Sequence, residues 1–220
     1  MRAFVAVEIT EPGITGAIEN LQSELLRAEP GGARPVGADL LHITLQFLGE
    51  VPEGAESRVI GALDSIKFDA FDVRIGGVGA FPNAGSPRVV WVGASPSPPI
   101  TAAAAAQGSG WRSDTGSNHG DNDEPAPAAG TAPSCPKLQD LAQRVSGVLG
   151  PLGYKSDKPF RPHCTIFRIK RRVNIAKELR EMAGRSFGVQ RVGSFKLKRS
   201  LLTPQGPVYS DLAVVEGVKS

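Results

Sequence analysis

Two tetrapeptides of one pattern stand far apart in this chain: His42-Ile43-Thr44-Leu45 and His163-Cys164-Thr165-Ile166. Each reads histidine, apolar, threonine, apolar, in a chain with only three histidines. Alternate side chains on a β-strand share a face. His42 and Thr44 therefore point one way, and Ile43, Leu45 and Phe47 the other; His163 and Thr165 likewise oppose Cys164 and Ile166. Imidazole titrates near pH 6.5, so one ring of such a pair can accept a proton while the other donates. The threonine hydroxyls, two residues along, are compact donors for phosphoryl oxygens. In-line attack at phosphorus needs a base on one side, an acid on the other and donors at the equatorial oxygens. Two His and two Thr supply that set without a metal, and no cluster of Asp, Glu, His and Cys has ligand spacing. One such tetrapeptide alone reads as an ordinary half-buried strand. The repetition is what points to chemistry.

The elements that must position these residues follow from periodicity. Residues 3–9 read as a strand. Ile14, Ile18, Leu21 and Leu25 recur at helical spacing, with Pro12 in the first turn. The first motif strand spans residues 40–48 and stops at Gly49. Pro52 opens a helix carrying Val59, Ile60, Leu63 and Ile66. Phe71, Val73 and Ile75 alternate with polar residues as a strand, and residues 88–92 form another. Leu138, Leu141, Val145 and Val148 mark a third helix. The second motif strand spans 161–169, and a helix follows over 174–182. Strands over 188–192, 195–202 and 208–215 close the chain. Strand, helix, motif strand, helix, strand thus occurs twice, a duplication of elements rather than of letters. It predicts two similar α+β lobes whose His/Thr faces meet across a cleft, with each apolar face on its own lobe's helices.

Between the two halves the composition breaks. Residues 95–136 are mostly Ala, Pro, Gly, Ser and Asp, too poor in apolar groups to offset the entropy of ordering them. We expect a disordered insertion in a loop of a single domain covering residues 1–220. The third histidine, His119, falls there and reads as a surface-loop residue. Net charge is +3, which neither requires nor excludes a polyanionic partner. Cys135 and Cys164 are too few for a disulfide framework, and Cys164 reads as a small core hydrophobe. The first residues are too short an apolar run for a signal peptide, and no stretch reaches the roughly 20 residues of a membrane span. A cytoplasmic protein is expected.

The chain resembles the two-histidine (2H) phosphoesterase superfamily, specifically its bacterial and archaeal RNA 2′,3′-cyclic phosphodiesterase branch, historically named 2′-5′ RNA ligase. The resemblance rests on MRAFVAVE at the start, HITLQFLG (42–49), PRVVWV (87–92), FRPHCTIFR (160–168) and SLLTPQGPVY (200–209). It covers nearly all of the chain outside the insertion, which is atypical of the family. It implies a bilobal α+β fold, with two pseudo-two-fold related lobes, antiparallel sheets lining a central cleft and helices outside. It implies opening of a 2′,3′-cyclic phosphate at an RNA end to a 2′-phosphate, without metal or cofactor. A monomer is expected. Carried over from the family, His42 is the proton donor and His163 the proton acceptor; the near-symmetry of the motifs leaves the reverse open at this level. Thr44 and Thr165 complete the catalytic set. Arg161 and Arg168 resemble family arginines. Arg161 shares the His163 face by alternation, whereas Arg168 reaches it only if the strand bends. Phe167 lies on the His/Thr face by alternation and could stack a base or serve as a core aromatic. The same site could run in reverse as a 2′-5′ ligase, take a small cyclic nucleotide or ADP-ribose cyclic phosphate, or bind RNA without catalysis. Both histidines are present, which ranks the last reading low.

Deleting residues 97–132 should leave hydrolysis of a cyclic phosphate end largely intact, because the segment enters at a loop. A deletion protein with native circular dichroism but no turnover would overturn the reading of this stretch as an insertion.

Overall fold

A computed structural model of the chain describes residues 1–28, 33–97, 134–156, 158–171, 173–204 and 206–218. His119 and most of the low-complexity stretch lie outside these residues. The ordered elements reach into both ends of that stretch, a strand running to Pro96 and a helix beginning at Pro136.

The strands are β1 (Arg2–Glu8), β2 (Ala33–Pro35), β3 (His42–Glu50), β4 (Phe71–Phe81), β5 (Val89–Pro96), β6 (His163–Ile169), β7 (Ser186–Val192), β8 (Ser194–Thr203) and β9 (Gly206–Glu216). The helices are α1 (Pro12–Ala28), α2 (Glu56–Asp64), α3 (Pro136–Leu149) and α4 (Ala176–Met182). Their apolar stripes fall where the periodicity puts them: Ile14, Ile18, Leu21 and Leu25 on α1 and Leu138, Leu141 and Val145 on α3 are all buried. Short β2 has no signal in the sequence, and β4 runs six residues beyond Ile75.

The strands join into one curled antiparallel sheet in the order β7-β4-β5-β6-β3-β1-β8-β9, with β2 paired to β6. Its midpoint is a seam between the two motif strands, which pair only at Ile43 and Cys164. Each side of the seam is a four-stranded lobe, β3-β1-β8-β9 on one side and β6-β5-β4-β7 on the other, as the duplication predicts. The lobes are not consecutive halves of the chain. Strand β4 ends the first repeat but pairs with β5 of the second, and β8 pairs back to β1. The helices exchange too. Helix α1 packs on β6 and β7, and α3 on β3, so each motif strand is backed by a helix from the other repeat. The expectation that each face rests on its own repeat's helices is therefore corrected. The crossing buries both stripes in one continuous core.

Both motif strands carry the same irregularity. In the β1–β3 ladder Val5 pairs with Gln46 and Ala6 with Thr44, leaving Leu45 as an extra residue. In the β5–β6 ladder Val90 pairs with Phe167 and Trp91 with Thr165, leaving Ile166 extra. A β-bulge shifts the alternation by one residue. From the histidine onward, both strands then read half-buried, buried, half-buried, buried, buried, exposed, buried. The bulge at Ile166 is held by its carbonyl, which accepts the Val36 N–H at 2.9 Å. The Gln22 amide of α1 also donates to it at 2.9 Å, and to Val36 O at 2.8 Å. Replacing Gln22 by Leu keeps the volume but strips a donor from two carbonyls, one buried and one partly buried. It should cost about 1–3 kcal/mol in denaturant unfolding; an unchanged midpoint would show that the bulge is set by the strands alone.

Candidate active site

The face of the sheet opposite the helices carries His42 and Thr44 on one side of the seam and His163 and Thr165 on the other, all half-buried. The two rings are held in the same way. His42 Nδ1 lies 2.7 Å from Leu40 O, and His163 Nδ1 lies 2.7 Å from Arg161 O, each the carbonyl two residues upstream. A carbonyl can only accept, so both Nδ1 atoms carry the hydrogen, and Nε2 is the lone-pair nitrogen when the ring is neutral. Nothing in the sequence signals this bond, because any residue supplies a carbonyl.

Aromatic rings wall in both histidines. Phe4 and Tyr209 lie 5.0 and 5.5 Å from the His42 ring, centroid to centroid. Phe81 and Trp91 lie 5.1 and 6.4 Å from that of His163. Trp91 is seated over Gly79 of the next strand, where a Cβ would come within 2.2 Å of its Cζ2. Burial among these rings pushes both histidines below their ordinary range, partly opposed by the bonds to Leu40 and Arg161. The positive charges of Lys198 and Arg168 lower His42 further and Glu8 raises it, while Arg161 lowers His163. Near neutrality both rings of the unliganded protein are therefore unprotonated.

The surroundings of the two histidines differ in charge. Beside His42, Glu8, Lys196, Lys198 and Asp211 form an alternating lattice across β1, β8 and β9. Lys196 Nζ is 2.6 Å from Glu8 and 2.7 Å from Asp211, and Lys198 bonds the remaining oxygens of both. Burial acts to raise the Glu8 and Asp211 carboxyls, but the two ammonium groups hold both below the usual range. Beside His163, the residue opposite on β5 is Gly93 and that opposite Trp91 on β4 is Gly79. Cys164, in the core at the seam, is pushed by burial up to about 12, so its thiol is inert.

The bulges decide the outer positions. Arg168 is exposed on the His/Thr face, brought there by the bend at Ile166. Arg161 is exposed next to His163. Phe167, expected on the His/Thr face, is instead 1% exposed in the core, because the extra residue before it turns it inward. Phe47, expected in the core, is 71% exposed for the same reason. It extends the aromatic wall, its ring 6.1 Å from that of Phe4. Strict alternation missed Phe47. The one available signal was the match between the strands, since a bend that brings out Arg168 also brings out the fifth residue after His42.

The family profile described as LigT-like phosphoesterase matches residues 7–91. The chain is 35% identical to the RNA 2′,3′-cyclic phosphodiesterase of Archaeoglobus fulgidus, over 98% of this chain and 100% of that protein. It is 33% identical to the protein of the same name from Aeropyrum pernix, over 81% and 83% of the two chains. Among solved structures, TT0787 of Thermus thermophilus superposes with a TM-score of 0.70 at 26% identity, covering 98% of this chain and 97% of that one.

The lowered histidines dictate a pH dependence for any reaction that uses one ring as base and the other as acid. Activity is lost as pH falls through the pKa of the base, and as it rises through that of the acid. With both below the usual value of about 6.5, kcat/KM should peak on the acid side of that value. A maximum above about pH 7.5 in a full pH–rate profile would contradict the burial-driven shift.

Proposed function

The chain belongs to the LigT-like phosphoesterase family, and we propose that it hydrolyses a 2′,3′-cyclic phosphate at an RNA end to a 2′-phosphomonoester. The observation that carries this reading is the matched pair of histidines. Each has Nδ1 tied to its own backbone, which frees Nε2 for proton transfer on the open face. In this mechanism His163 Nε2 takes a proton from water as the oxygen attacks phosphorus. The bond from phosphorus to O3′ breaks, and His42 Nε2 gives its proton to that oxygen. Thr44 and Thr165 donate to the non-bridging oxygens. The reaction needs His42 protonated, and the negative charge of the bound phosphate favours that state in a ring that is neutral without substrate.

The outer residues take the rest of the substrate. Arg168 and Arg161 are charge-assisted donors to phosphate oxygens. Phe47, rather than Phe167, offers the exposed ring on which the terminal base can stack. Neither step calls on a metal.

The test is an oligoribonucleotide ending in a 2′,3′-cyclic phosphate, incubated with the wild type, His42→Ala and His163→Ala in EDTA. Wild type should release the 2′-phosphate, and each variant should be slower by about 10²–10⁴-fold. Activity that survives either substitution, or that is lost with the chelator, would overturn the two-histidine mechanism.

A further inference from the structure

Arg34 lies directly across from Arg168 where β2 pairs with β6. Like charges at directly opposed positions of an antiparallel pair disfavour each other, since such residues are within about 5 Å at Cβ. The usual remedy, a carboxylate between them, is missing: among the described residues neither arginine makes an ion pair, although other surface arginines such as Arg2, Arg144, Arg185 and Arg191 all do. Both are exposed. They also share the face of the histidines. Ala33 and Ile169, the next pair along the ladder, turn to the core, so Arg34 and Arg168 turn away from it. Arg168 is near enough to His42 for its charge to act on that ring.

We propose that Arg34 and Arg168 together form a phosphate subsite beyond the reacting centre, which takes the phosphodiester on the 5′ side of the terminal nucleotide. The assignment rests on the cyclic phosphodiesterase reading and adds to it a selection for substrate. A mononucleotide 2′,3′-cyclic phosphate has no such phosphodiester and leaves Arg34 without a ligand. An oligoribonucleotide end fills it. Two planar guanidinium groups on adjacent strands can each present paired N–H donors to a phosphate, which a lysine in either place cannot do. The anion relieves the repulsion between the two arginines, so the pair is disfavoured in the empty protein and satisfied in the complex. Lys170, exposed two residues after Arg168, continues the positive strip away from the histidines.

The experiment compares wild type, Arg34→Ala and Arg34→Lys on two substrates, a nucleoside 2′,3′-cyclic monophosphate and a short oligoribonucleotide with the same cyclic end. For Arg34→Ala, kcat/KM on the oligonucleotide should fall about tenfold or more, through KM. The mononucleotide rate should stay within about twofold, and Arg34→Lys should recover only part of the loss. A second arm measures anisotropy of a labelled oligoribonucleotide bearing a 2′-phosphate, against salt concentration. Losing one phosphate contact should reduce the log–log salt slope by about 0.7. An equal loss on both substrates, no loss on either, or an unchanged salt slope would overturn the subsite. A wild type that turns over neither substrate would overturn the proposed function instead, and the binding arm would then decide the subsite by itself.

Discussion

The contact on which this architecture depends is the single pair between Ile43 and Cys164. It sets two strands antiparallel at the centre of the sheet, one residue after each histidine. An antiparallel pair has a local two-fold relation, so one register pair is enough to put His42 and His163 on the same face at opposite ends of a short diagonal. Both residues of the pair are buried, at 0% and 1% exposure. The seam is fixed by the core below it, and a slip of either strand by one position would turn its histidine into that core. The exchange of helices guards against such a slip. Since α1 backs β6 and α3 backs β3, neither lobe can rotate about the seam without dragging a helix of the other repeat.

The same two-fold relation runs through the local chemistry. Each histidine bonds the carbonyl two residues before it, each stands among aromatic rings, and each strand bulges at the fourth residue of its motif. The bulge gives the site its reach. Without it the strand would show the solvent only alternate residues, and the fifth position after each histidine would point into the core. With it, that position returns to the open face, at the cost of one ladder pair per strand. At Ile166 that cost is offset by bonds from Val36 and Gln22.

Much of this was legible in the sequence, and the parts that were not have physical reasons. The repeated His-x-Thr pattern pointed to the histidines, the threonines and the duplication, because a period-two pattern in a strand is a direct record of which side chains share a face. The helical stripes were legible on the same grounds. What alternation cannot record is a bulge, because the sequence on either side of the extra residue still alternates. Phe47 and Phe167 changed places for that reason. The exchange of α1 and α3 was equally hidden, since an apolar stripe says that a helix is covered but not by which strand. The Nδ1 bonds left no trace at all, being made to the backbone. The length of β4 and the existence of β2 were missed because one is rich in glycine and the other is three residues long.

A perfectly two-fold site could not tell its acid from its base. The differences between the lobes are therefore where any distinction between the two rings must come from. At the fifth position one strand has Phe47 and the other Arg168, an apolar ring and a charge at opposite ends of the antiparallel pair. Behind His42 stands a lattice of two lysines and two carboxylates, while beside His163 the strand positions are glycines. The charges around the two rings differ as well: His42 has both signs close by, Lys198 and Arg168 against Glu8, whereas His163 feels, among the described residues, Arg161 alone. The duplication supplied two histidines held alike, and the residues outside the motifs are what distinguish their surroundings.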